Sequence, residues 1–84
     1  MLRIITLNLN GIRSAARKGF FHWLRQQEAD IVCLQELKAQ AGDMSRAFLN
    51  PAGYCGYFHY AEKKGYSGVG LYSRRQPDQV IEGF

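Results

Sequence analysis

The chain has 84 residues, 46% of them hydrophobic and 21% charged, with a formal net charge of +4 and a sequence pI of about 9.3. That length allows one small domain with little core to spare, burying about 60 to 65% of its unfolded surface. No apolar run approaches the roughly 18 to 20 residues of a membrane span and the amino terminus carries no secretory signal pattern, so neither a membrane association nor a secreted protein is expected, and the expected setting is cytoplasmic.

The segment from Arg3 to Leu9 alternates roughly and is rich in Ile and Leu, as a strand does. Phe20, Trp23, Leu24 and Gln27 follow at helical spacing, with Phe21 alongside, which predicts one amphipathic helix from about Ser14 or Gly19 to Glu28. Phe20, Phe21 and Trp23 read as core. Ile31 to Leu34 is an uninterrupted apolar run, the signature of a strand covered on both faces. Parallel strands joined by a helix are usually neighbours, so the two carboxyl ends should converge.

Beyond Glu36, the stretch Gly42 to Asn50 places Met44, Ala47 and Phe48 on one face of a short helix that Asn50-Pro51 closes. Tyr54 to Tyr60 and Val69 to Ser73 read as two strands, joined through Glu62-Lys63-Lys64-Gly65-Tyr66-Ser67 as a hairpin, and Val80 and Ile81 as the start of another. The expected order is β-α-β-(α)-β-β. Cys33 and Cys55 lack Cys-x-x-Cys spacing, and His22 and His59 complete no zinc pattern, so buried reduced thiols are expected.

This order places Asn8 and Glu36 at the same edge of a sheet, where open α/β sheets build their sites. Arg13, Arg17 and Lys18 follow the first strand and Lys38 the second, which suits a rim tracking phosphates. Each has a bland reading as well. Glu36 can be an ordinary loop carboxylate, Asn8 and Asn10 before Gly11 can be turn chemistry, Lys63-Lys64 can be a solvated turn, and Tyr66 can be a packing residue.

Three segments, Leu7-Asn8-Leu9-Asn10-Gly11-Ile12-Arg13, Leu34-Gln35-Glu36-Leu37-Lys38 and Lys64-Gly65-Tyr66-Ser67-Gly68-Val69-Gly70-Leu71, stand in the order found in the exonuclease III and apurinic/apyrimidinic endonuclease family, which the chain resembles from Leu2 to Phe84. The resemblance implies an α/β fold, the amino-terminal part of a four-layered α/β sandwich in a single domain, and an Mg²⁺-dependent DNA repair nuclease, with Mn²⁺ as an alternative ion. Its partner would be double-stranded DNA with abasic sites or 3′ ends. By the same resemblance Glu36 is a metal ligand and, with Asn8, catalytic. Asn8 would work in the metal or phosphate environment, and Asn10 and Lys38 would support it. Arg13, Lys18, Lys63, Lys64, Gly65 and Tyr66 would meet the DNA.

The chemistry agrees with those residue types. Mg²⁺ takes oxygen ligands and keeps several waters, so one or two carboxylates suffice when substrate phosphate supplies the rest. The water-activating Asp and His-Asp pair of this family belong to its later two thirds, and His22, His59, Asp30, Asp43 and Asp78 match no such motif. The expectation is an incomplete chain, inactive alone. Two alternatives remain: another phosphatase or nuclease of the same superfamily, or a noncatalytic nucleic-acid-binding module.

Overall fold

Alternation from Arg3 to Leu9 becomes strand β1, Ile4–Asn8, and the apolar run becomes β2, Ile31–Gln35. They pair in parallel from Ile4↔Ile31 to Asn8↔Gln35, as the crossover rule leads one to expect. The computed structural model describes residues 2–51, 53–61 and 67–74. The remaining strands are β3, Cys55–Tyr60, and β4, Gly68–Ser73. These two pair antiparallel, and β4 also runs antiparallel to β2, which sets the order β1-β2-β4-β3. The hairpin connection at 62–66 and the strand expected at Val80 and Ile81 lie outside the described residues.

The crossover departs from expectation in one respect. Instead of a single helix there are two short ones, α1 over Ile12–Arg17 and α2 over Phe20–Gln26. Gly19 sits between them at φ +93°, in left-handed backbone that glycine adopts at no steric cost, and this turn ends one helix and starts the next. The helix expected over Gly42 to Asn50 is likewise divided, into a 3₁₀ turn at Ala41–Asp43 and helix α3 at Arg46–Leu49, whose first turn is capped by the Ser45 hydroxyl accepting from Phe48 N–H at 3.3 Å.

One face of the sheet carries the core. Val32, Leu34, Tyr72 and Phe58 point to the helices and are buried with Ile12, Ala15, Phe20 and Leu24. Tyr72 is its centre: Phe58 meets it edge-on at 5.6 Å between ring centroids, Phe20 stacks at 6.5 Å, and its hydroxyl donates to the Phe48 carbonyl. Burial pushes that hydroxyl's pKa up, so it stays a neutral donor. Gly70 is required by close packing, since a Cβ there would fall 2.5 Å from the Phe58 ring. The opposite face presents Ile4 and Val69, which are 54% and 43% exposed, beside Cys33 and Leu71.

Two burial expectations are corrected. Trp23 is 36% exposed at the end of the helical layer, while Phe20 is buried and Phe21 half-buried. Cys55 is exposed and Cys33 half-buried, because both point to the uncovered face of the sheet where a β-strand places alternate residues. No helix of the described residues is long and apolar enough to cross a membrane.

Candidate active site at the carboxyl edge of the parallel pair

The two parallel strands deliver Asn8 and Glu36 to one place. Asn8 is the last residue of β1, Glu36 follows β2, and the Asn8 Nδ2 amide donates to Glu36 Oε2. The Asn8 amide oxygen accepts from Asn10 N–H at 2.9 Å, which turns its NH₂ group toward the carboxylate. Asn8 is therefore placed to orient Glu36.

Asn10 serves the turn and the site together. Its backbone is left-handed at φ +49°, and its Oδ1 accepts from Lys38 Nζ at 2.7 Å. Lys38 Nζ also stands 3.7 Å from Glu36 Oε1. Asn8 and Lys38 thus flank the carboxylate, and the Glu36 side chain remains 38% exposed.

The chain between Glu36 and Lys38 is bent sharply. Both residues lie at φ +52°, a conformation rare for side chains other than glycine, asparagine and aspartate. Strain of this kind persists only where neighbouring structure over-determines it. Here the start of α1 does so: Gly11 N–H donates to Glu36 O at 2.8 Å, Ile12 N–H to Leu37 O at 2.9 Å, and Arg13 Nη2 to Lys38 O at 3.1 Å. From the other side, Leu37 N–H donates to Gly68 O at 3.0 Å. Buried Leu37 anchors the bend in the core.

Basic residues surround this edge in two clefts. One of about 330 Å³ is lined by Gly11, Arg13, Ser14, Arg17 and Lys38. The other, of about 370 Å³, runs past Asn8 and is lined by Leu7, Lys18, Phe20 and Trp23 among others. Arg13, Arg17, Lys18 and Lys38 are thus gathered at the edge that carries Glu36. Lys63, Lys64, Gly65 and Tyr66 lie outside the described residues.

The donor set suits a hard divalent ion. Among the described residues no three His, Cys, Asp or Glu side chains come together as a complete metal cage. A single half-exposed carboxylate held by an amide is instead what an ion with retained waters and phosphate ligands needs. Glu36 is the carboxylate this edge offers to such an ion.

One residue at the site escaped sequence reasoning. Asp43 Oδ1 lies 3.7 Å from Arg13 Nη1, and its Oδ2 accepts from Gln40 N–H at 3.0 Å. The available signal was local: Gln40 and Asp43 have the i, i+3 spacing of a reciprocal cap at a helical turn. The link to Arg13 comes only with the fold.

Comparison with known proteins follows the same lines. Residues 5–84 match the model of the Endonuclease/Exonuclease/phosphatase family. An exodeoxyribonuclease of Bacillus subtilis (strain 168) is 45% identical over 83 residues, which is 98% of this chain and 32% of that protein. An AP endonuclease from Archaeoglobus fulgidus superposes with a TM-score of 0.82 and 34% identity over 96% of this chain and 30% of its own. A 3′ phosphatase from Neisseria, solved with a product DNA hairpin, gives a TM-score of 0.80 and 29% identity over 99% of this chain and 31% of its own. The chain spans about a third of the length of these proteins.

Proposed function

Since the chain belongs to the Endonuclease/Exonuclease/phosphatase family, we propose that it is the amino-terminal portion of a single-domain, Mg²⁺-dependent DNA repair nuclease that cuts beside abasic sites and trims or unblocks 3′ ends. The observation that carries this reading is the Asn8–Glu36 pair, held at the carboxyl edge of parallel strands beside clefts lined by Arg13, Arg17, Lys18 and Lys38. Relatives named for exodeoxyribonuclease, AP endonuclease and 3′ phosphatase chemistry support phosphate-ester hydrolysis in DNA. The exposed Ile4 and Val69 on the uncovered sheet face support a larger sandwich that includes this segment.

In this reading Glu36 binds the ion, and Asn8 and Lys38 fix its carboxylate. The ion supplies Lewis-acid polarisation of the phosphoryl oxygen and stabilisation of the leaving oxyanion. Arg13, Lys18, Lys63, Lys64, Gly65 and Tyr66 hold the DNA backbone. Activation of the attacking water falls to residues beyond the segment, so the 84 residues alone would not cleave DNA.

The test is Glu36→Gln in the full-length protein, on duplexes carrying either an internal abasic site or a 3′-phosphate. The substitution keeps the shape and removes the charge. Turnover on both should fall by about two to three orders of magnitude while the urea-unfolding midpoint stays close to that of the parent, as expected for loss of an electrostatic contribution to the transition state. Near-normal turnover at limiting Mg²⁺ would remove Glu36 from the metal site.

A further inference from the structure

We propose that Asp43 is a positioning residue for Glu36, acting through Arg13 and the left-handed bend at Glu36–Lys38. This inference rests on the reading of Glu36 as the metal ligand. Three successive carbonyls of the bend, at Glu36, Leu37 and Lys38, are each met by a donor at the start of α1. The first two donors are backbone N–H groups of Gly11 and Ile12, fixed by the helix itself. The third is the Arg13 side chain, which has rotamers to choose from and is 43% exposed.

Asp43 narrows that choice. Its carboxylate is only 20% exposed, takes Gln40 N–H on one oxygen and faces Arg13 Nη1 with the other. Asp43 N–H in turn donates to Gln40 O at 2.8 Å, so the carboxylate sits on a closed turn. Arg13 is thereby stretched between Asp43 and the Lys38 carbonyl, and the loop from 36 to 43 is closed back on α1. Lys38 is the residue whose ammonium joins Asn10 to Glu36. Release of its carbonyl loosens the backbone that presents that ammonium and the carboxylate beside it.

The chemistry predicted for Asp43 is therefore indirect. It meets neither the ion nor DNA, yet it sets how well Glu36 is held for the ion. Groups bonded directly to a metal ligand commonly change metal affinity by roughly 10- to 100-fold. Asp43 stands further out and acts through a partly exposed ion pair, so its effect falls below that range, at about three- to fivefold.

The experiment measures Mg²⁺ affinity of the full-length protein by calorimetry without DNA, so that any phosphate contact of Arg13 plays no part. Asp43→Asn keeps the shape and the acceptor for Gln40 N–H while removing the charge. It should weaken Mg²⁺ binding about three- to fivefold, and Asp43→Glu should recover most of the loss. In an Arg13→Ala background Asp43→Asn should add less than about twofold, because the two residues act as one unit. Asp43→Asn binding Mg²⁺ within about twofold of the parent, or effects of the two substitutions that multiply independently, would overturn the proposal. Glu36→Gln is the reference: if it abolishes binding while Asp43→Asn does not alter it, the proposal fails and the metal reading stands. If Glu36→Gln itself binds Mg²⁺ like the parent, the metal reading fails and takes the proposal with it.

Discussion

At the carboxyl end of β1 and β2, Asn10, Glu36 and Lys38 occupy left-handed backbone, and the side chains of Glu36 and Lys38 stay half exposed. At the other end of the sheet, Tyr54 is buried and its hydroxyl donates to Ala29 O at 3.1 Å, while Arg74 Nη2 donates to Gln27 O at 2.7 Å and the guanidinium lies 5.4 Å from the Tyr54 ring centre. Asp30 closes that end, accepting from Arg3 N–H at 2.8 Å. Both ends are polar and hydrogen-bonded across long stretches of chain. At the first, side chains are held against one another in costly backbone, with charge left facing a cleft. At the second, side chains tie down main-chain carbonyls in ordinary backbone. Strain of about 1 to 3 kcal/mol per left-handed non-glycine residue is held at the first end, and none of the residues named at the second has such backbone.

This contrast predicts that damage at the two ends will separate into lost chemistry and lost stability. The largest effect after Glu36→Gln should come from Lys38→Met in the full-length protein, which keeps the side-chain length and a β-carbon at φ +52° but removes the ammonium. Turnover on an abasic-site duplex should drop by about 10- to 100-fold. The unfolding midpoint should barely move, because exposed ion pairs contribute only about 0 to 1 kcal/mol. Loss of stability with turnover intact would make Lys38 a structural residue and dissolve the comparison.

Tyr54→Phe should show the opposite behaviour. It strips the hydroxyl that donates to Ala29 O and accepts from Arg74 Nε at 3.3 Å, leaving a buried carbonyl short of a donor. Urea unfolding should report a loss of about 1 to 2 kcal/mol. Mg²⁺ affinity should be unaltered, and a change in it would mean that the two ends communicate.

The smallest effect is expected from Arg74→Gln, whose guanidinium is fully exposed. Its hydrogen bond to Tyr54, opposed by desolvation and aided by the nearby carboxylates of Asp30 and Glu28, raises its pKa and favours the charged form. The thermal midpoint should fall by less than for Tyr54→Phe, with Mg²⁺ binding and turnover unchanged. A larger fall than for Tyr54→Phe would show that the arginine, not the tyrosine, closes this end.

Much of the candidate site was legible before any coordinates. Asn8 and Glu36 each stand at the end of a short apolar strand, and a parallel crossover brings such ends together, as β1 and β2 do here. Lys38 and Arg13 were legible as basic residues near that edge. Their partners were not: Lys38 reaches Asn10 across 28 positions of chain, and Arg13 reaches Lys38 across 25. Trp23 misled because helical spacing identifies an apolar stripe without saying how far the sheet beneath it extends. Cys55 misled for a related reason, since an aromatic strand has two faces and only one is covered by helices.

Sequence by itself determined the four strands of the described residues, which segments are helical, and the placing of an amide and a carboxylate where two strands end. Those are local properties, set by the period of apolar residues and by the turn chemistry of Asn10-Gly11. Tertiary structure alone decided that β4 lies between β2 and β3, that Glu36 and Lys38 take left-handed backbone, and that Asp43 meets Arg13. A side-chain period fixes which face a residue shows but not which strand adjoins it. Glu36 and Lys38 keep left-handed backbone because donors distant in sequence, Gly11 and Arg13, hold their carbonyls.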